Sequence, residues 1–125
     1  MSIQKIDEAF TYAENAGADL SEKLHFFAKI DTDGDIVLAG DGGPVAGVII
    51  ESAAENYPVS IAFGAIGKVI CAEAITPGAI IASDADGKAV AAAAGDWIVG
   101  IAINKAASTA GDLVPFIFAS GRRHA

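Results

Sequence analysis

The densest grouping of potential ligands in the chain is Asp31-Thr-Asp-Gly-Asp35, three carboxylates on alternate residues. Calcium loops of the helix-flanked type place ligands at positions 1, 3 and 5, glycine at 6 and a bidentate glutamate at 12. Here glycine falls at position 4, Gly42 stands at position 12, and no helices flank the loop. The residues read instead as a hairpin turn, in which Gly34 accepts a positive φ and Asp33 tolerates one. A second version of the motif, Asp84-Ala-Asp-Gly-Lys88, lacks the third carboxylate, a change open to a turn and closed to a metal loop.

The other chemistry-bearing residues assemble into nothing recognisable. Gly40-Asp-Gly-Gly-Pro-Val-Ala-Gly47 is glycine-rich, but it lacks the Gly-Lys-Ser/Thr of a phosphate-binding loop and the helix that should follow. Glu51, Glu55 and Glu73 are scattered surface carboxylates rather than an acid/base pair. Cys71 sits in the apolar run Lys68-Val-Ile-Cys-Ala and is expected to pack as a small hydrophobe. A nucleophilic role would need a histidine nearby, and the two in the chain are His25, in a strand-like segment, and His124, near the C-terminus. Trp97, the sole tryptophan, opens a strand beside a turn and suits either an interface anchor or a core residue closing one end of a barrel. No catalytic, cofactor-binding or metal-binding residues are assigned.

Composition narrows the partners. Sixteen acidic against eight basic residues give a formal charge of −8, which repels a polyanion, so neither nucleic acid nor an anionic membrane is an expected partner. The basic end Gly121-Arg122-Arg123-His124 could dock on an acidic partner or simply be solvated. One cysteine excludes an internal disulfide. The N-terminus has no secretory pattern, and the longest apolar stretch, Ala89 to Ile103, is interrupted by Gly95, Asp96 and Gly100. A soluble protein made in a cytoplasm is expected. The 125 residues suit one modest core, and with 53% apolar but only 7% aromatic residues that core should be narrow.

The elements that would position these residues show a duplication. Shifted by 53 positions, residues 31–54 align without a gap on 84–107, and ten of those 24 positions are identical. Chance predicts about two or three for this composition. Beyond them Val59, Ile61 and Phe63 answer Val114, Phe116 and Phe118 at an offset of 55. The chain is therefore expected to be mainly β, a small barrel or sandwich of two repeated units, about 31–63 and 84–118. Strands are expected over 24–30, 36–38, 45–51, 59–63, 67–72, 79–82, 88–92, 97–104 and 113–118. Gly47 should mark a bulge or a close backbone contact. Ile3, Ile6, Phe10 and Ala13 recur at helical spacing between Ser2 and Gly17, which predicts a short helix over 3–16. Three regions follow: a helical arm over 1–20, a β core over 21–118 and a tail over 119–125.

Several segments together resemble the capsid cement, or head decoration, proteins of tailed phages. They are Ala18-Asp-Leu-Ser-Glu-Lys-Leu-His-Phe-Phe-Ala-Lys-Ile-Asp-Thr-Asp-Gly-Asp-Ile-Val-Leu-Ala-Gly40, Val45-Ala-Gly-Val48, Ala74-Ile-Thr-Pro-Gly78, and Ala82-Ser-Asp-Ala-Asp-Gly-Lys-Ala-Val90 leading to Ile98-Val-Gly-Ile-Ala-Ile103. The resemblance covers roughly residues 18–118 and rests on the order of motifs that are individually common. Gly111-Asp-Leu-Val114 departs mildly from the family's Gly-Glu-x-Val ending, and residues 3–16 and the Arg122-Arg123 tail lie outside the match. The resemblance implies a β-rich homotrimer without catalytic residues or cofactors, on the exterior of an icosahedral head in the virion. There it would bridge subunits of the major capsid protein at three-fold or quasi-three-fold positions.

Three rivals come from other classes. A small trimeric β enzyme, such as a nucleotide hydrolase, would need a repeated acidic and Gly-Ser phosphate motif that the chain lacks. A carrier module would present a modified lysine at a hairpin tip, and Lys68 and Lys88, although each follows glycine, lack the Met-Lys pattern. A host- or glycan-binding head protein needs only an exposed surface, so the residues leave it open beside cementing.

Overall fold

The computed structural model describes residues 10–119. Within them ten strands form two five-stranded antiparallel sheets of identical topology. The first sheet holds β1 (Phe10–Asn15), β2 (Phe27–Ile30), β3 (Ile36–Leu38), β4 (Gly47–Glu51) and β5 (Pro58–Phe63) in the order β1-β5-β4-β2-β3. The second holds β6 (Ile66–Ile70), β7 (Ile80–Ser83), β8 (Ala89–Ala91), β9 (Gly100–Ala102) and β10 (Leu113–Phe118) in the order β6-β10-β9-β7-β8. Each sheet curls until its edges meet, through the parallel bridges Ala16↔Ile36 and Cys71↔Ala89. The mainly β expectation holds, and the repeat runs through the whole described chain rather than from Asp31 onward.

Paired hydrogen bonds show how closely the two units correspond. Ala16 N donates to Tyr57 O as Cys71 N does to Asp112 O, and Asn56 N to Ala16 O as Gly111 N to Cys71 O, both at an offset of 55. Between the first two strands the offset falls to 53, where Ala39 N to Phe27 O is answered by Ala92 N to Ile80 O. It returns to 55 at β5 and β10. These two length changes lie in the loop after the first strand and the loop before the last.

The helix expected over 3–16 is not what residues 10–15 form. They are strand β1, an edge strand paired along its whole length with Pro58–Phe63. Residues 3–9 lie outside the described residues. Phe10, Thr11 and Tyr12 favour the extended state, and the Phe10 and Phe63 rings pack 5.8 Å apart across the pair. Ladder pairing thus outweighs a weak helical periodicity. Ala16 and Leu20, just beyond β1, are fully buried in the first unit's core, so the segment 10–20, expected with the arm, is part of the β structure.

Two glycines repeat because a fourth strand crowds a fifth. A Cβ on Gly47 would meet Ala62 O at 2.5 Å, and one on Gly100 would run into Ile117 O. Pairing of β4 with β5 then shifts register between Ile49 and Glu51, the bulge for which Gly47 is the marker. Elsewhere the copies use different residues for one geometry. His25 and Asn56 have φ of 70° and 71°, and their counterparts are Gly78 and Gly111 at 83° and 93°.

The cores explain the stacking of the units. Ala28, Ile36, Ile49, Val59 and Ile61 line the inner face of the first sheet. Their counterparts Ile81, Ala89, Ala102, Val114 and Phe116 line that of the second. Three more residues join the second core from outside it: Phe27, Ala39 and Val48, on the outer face of the first sheet. The Phe27 ring meets Phe116 edge-on at 5.7 Å. Strand β2 is therefore buried on both faces, Ala28 inward and Phe27 against the other unit. The outer face of unit one seals the inner face of unit two.

Candidate interaction surface

The repeated acidic motifs are turns, and the first aspartate of each holds the turn together. Asp31 Oδ1 accepts from the backbone N–H of Asp33 and of Asp35, each at 2.9 Å. Asp84 Oδ1 accepts from Asp86 and Lys88, each at 2.8 Å. The sequence pointed to Asp33-Gly34 and missed that role, although recurrence of Asp31 as Asp84 was its signal. Burial, then the neighbouring carboxylates Asp31, Asp33 and Glu14, push the Asp35 carboxyl above its usual range. Among the described residues no three His, Cys, Asp or Glu side chains are grouped so as to hold a metal ion.

The glycine-rich loop is a joint between units. Gly42 N donates to Ser83 O at 2.8 Å, Gly42 O accepts from Trp97 N at 2.9 Å, and a Cβ there would strike the Asp96 carboxylate. Trp97 is half-buried at this joint. Two of the scattered glutamates have local structural partners: Glu51 Oε1 accepts from Ser60 Oγ at 2.8 Å and Glu73 Oε2 from Ala91 N at 3.0 Å. Cys71 is buried, with its thiol 3.1 Å from Thr109 O and 3.4 Å from Ser108 Oγ. Lys68 lies in the middle of β6 and Lys88 directly after the Asp84 turn. The Lys88 ammonium stands 5.9 Å from the centre of the Phe26 ring, which also carries Lys23 at 5.0 Å. His25 lines a groove of about 400 Å³ with Val48, Ile50, Ala62, Ile66 and Lys68. Burial, then the charge on Lys68, holds its imidazole below the ordinary range, which favours the neutral form. His124 and the arginine tail lie outside the described residues.

What the structure does bring together is apolar surface. On the outer face of the second sheet, Ile66, Ile117, Ile101 and Ile80 stand side by side across β6, β10, β9 and β7 as direct register partners. Ile80, Ile101 and Ile117 are exposed. The inner face of the first sheet opens on a second groove, of about 280 Å³, lined by residues that include Tyr12, Ile30, Ala46, Ile61 and Phe63. Contiguous exposed apolar surface is where contacts between proteins commonly form. Among the described residues, no helix is long and apolar enough to cross a membrane.

No family model matches the sequence, and no curated protein matches it. The fold is similar to the crystal structure of the head fiber gp8.5 N base of bacteriophage phi29, with a TM-score of 0.71 and 17% identity. The likeness spans 94% of this chain and 100% of that one, so it covers both units and their mutual arrangement.

Proposed function

We propose that this chain is a structural protein of a tailed-phage head, a cement or decoration protein seated as a homotrimer on the outer surface of the capsid. The observation that carries the reading is the likeness, over nearly the whole chain, to the base of a phage head fibre. The resemblance of residues 18–118 to head decoration proteins supports it independently, as do the apolar faces available for contacts between chains. The work is binding, not catalysis. A trimer that touches several capsid subunits converts weak contacts into firm attachment, and whatever binds only the assembled shell stabilises that shell. The major capsid protein is the partner, with neither nucleic acid nor membrane involved, and the charge of −8 suits an exterior position away from packaged nucleic acid.

The second reading is a host- or glycan-binding role on the head surface, favoured by one point: the similar structure is itself the base of a fibre. Sedimentation tests the first reading. The purified protein should run as a trimer and pellet with mature heads but not with unassembled capsid subunits. A monomer that ignores heads would overturn it, and a trimer that binds cell-surface glycans and no capsid would favour the second.

A further inference from the structure

We infer that the chains associate head to tail, by repeating between copies the contact that already joins the two units within one copy. The proposal rests on the trimer reading for the number of copies, and on the internal interface for which faces meet. Inside the chain, Phe27 and Val48 on the outer face of the first sheet are 0% and 1% exposed because the second unit covers them. Their counterparts on the second sheet, Ile80 and Ile101, are 40% and 41% exposed. The receiving side shows the same contrast. Ser83 at the rim of the second unit's inner face is 0% exposed under the Gly42 loop, whereas its counterpart Ile30 is 41% exposed beside the open groove. Each chain therefore has one used pair of faces and one vacant pair, and the vacant pair is the same two surfaces over again.

The backbone repeats the match. Within the chain Phe27 N donates to Gly87 O, Gly42 N to Ser83 O and Ile70 N to His25 O. Transferred by the repeat, these become Ile80 N to Gly34 O, Gly95 N to Ile30 O and Asn15 N to Gly78 O of the adjoining copies, and every donor is a residue with an N–H. The fourth internal bond, from Trp97 N to Gly42 O, has no equivalent, because Pro44 stands where Trp97 would. Apolar chemistry fits as well: the Ile80, Ile101 and Ile117 row enters a mouth formed by Tyr12, Ile30, Ala46 and Phe63. A contact between unlike faces either closes into a ring or runs on as a filament. Three copies close it as a ring of six similar units.

Two single variants and their mixture test the faces. Ile101→Glu spoils the inserting face and Ile30→Glu the receiving one, and both positions are exposed in the chain, so the fold should survive. Burying an unpaired carboxylate in the seam should weaken association about a hundred-fold or more, leaving each variant a monomer by analytical ultracentrifugation. Mixed one to one, they should form a dimer of one chain each and go no further, because only one sound seam remains. Should either glutamate prevent folding, Ile80→Lys and Tyr12→Lys test the same two faces. Variants that stay trimeric would overturn the seam while leaving the trimer intact. Two monomers that fail to pair on mixing would overturn its head-to-tail character. A wild-type monomer would sink the trimer reading itself, and a wild-type filament would uphold the faces and refute the closed ring.

Discussion

Replacing Phe27 and Ile80 by alanine, one at a time, asks whether two positions related by the repeat have the different roles described above. Phe27 is fully buried, edge-on to Phe116 at 5.7 Å in the core of the other unit. Removing such a ring costs about 3–5 kcal/mol, a large share of the roughly 5–15 kcal/mol that holds a domain together. Ile80 occupies the same place on the second sheet but is 40% exposed. Full burial of isoleucine is worth about 1.5–3 kcal/mol, so its truncation should cost about 1–2 kcal/mol. Association would itself stabilise the chain by mass action, so the comparison belongs in an Ile30→Glu background, where copies stay apart. The costs differ by about 1–4 kcal/mol, so at a urea m-value of about 2 kcal/mol/M the Phe27→Ala midpoint should lie about 0.5–2 M below that of Ile80→Ala. Equal losses would refute the argument, because Phe27 would then not be seated in the second core.

Other perturbations follow from the same geometry. Asp31→Ala and Asp84→Ala each remove a carboxylate acceptor for two backbone N–H groups and should cost about 1–2 kcal/mol in chemical denaturation, with Asp33→Ala nearly silent. Gly47→Ala and Gly100→Ala drive a methyl onto a neighbouring carbonyl and should each cost at least about 2 kcal/mol by the same measure. His25 has its proton affinity lowered in the fold, so the unfolded chain binds the proton first. Stability should therefore fall as pH drops below about 6.5 and through the lower folded value, a loss that His25→Gln would abolish in thermal melts. Asp35 has the opposite linkage: its raised value means that ionisation disfavours the fold, so this contribution declines as pH rises through the carboxylate range. Asp35→Asn should accordingly raise the melting temperature at neutral pH and lose that advantage in acid.

The parts of the fold that were legible in the sequence are those with turn chemistry or a fixed offset. Asp31-Thr-Asp-Gly and Asp84-Ala-Asp-Gly located two hairpins, Ile36–Leu38 and Leu113–Phe118 were read to the residue, and the alanine-rich Ala89–Ala91 was recognised as strand only because its counterpart was one. Strand β1 was hidden, and β6, expected as a strand over 67–72, was not recognised as its counterpart. The two share no residue identity from Thr11 to Asn15 against Ile66 to Ile70, and the loop that follows differs in length by two residues. The double burial of β2 was equally invisible, since Phe27 alternates with the polar His25 and Lys29 on one face of the strand, and nothing local to 24–30 shows what covers it. It is the second unit, distant in sequence, that covers Phe27. The apolar row of Ile66, Ile117, Ile101 and Ile80 escaped for the same reason: it is drawn from four strands, and only their lateral order makes it one surface.

Cryo-electron microscopy of heads with and without this protein tests the account most directly. Added protein should appear on the outer capsid surface as compact three-fold features, each spanning the junction of neighbouring capsid subunits. Heads identical in both samples, or density confined to the interior or the tail, would contradict it.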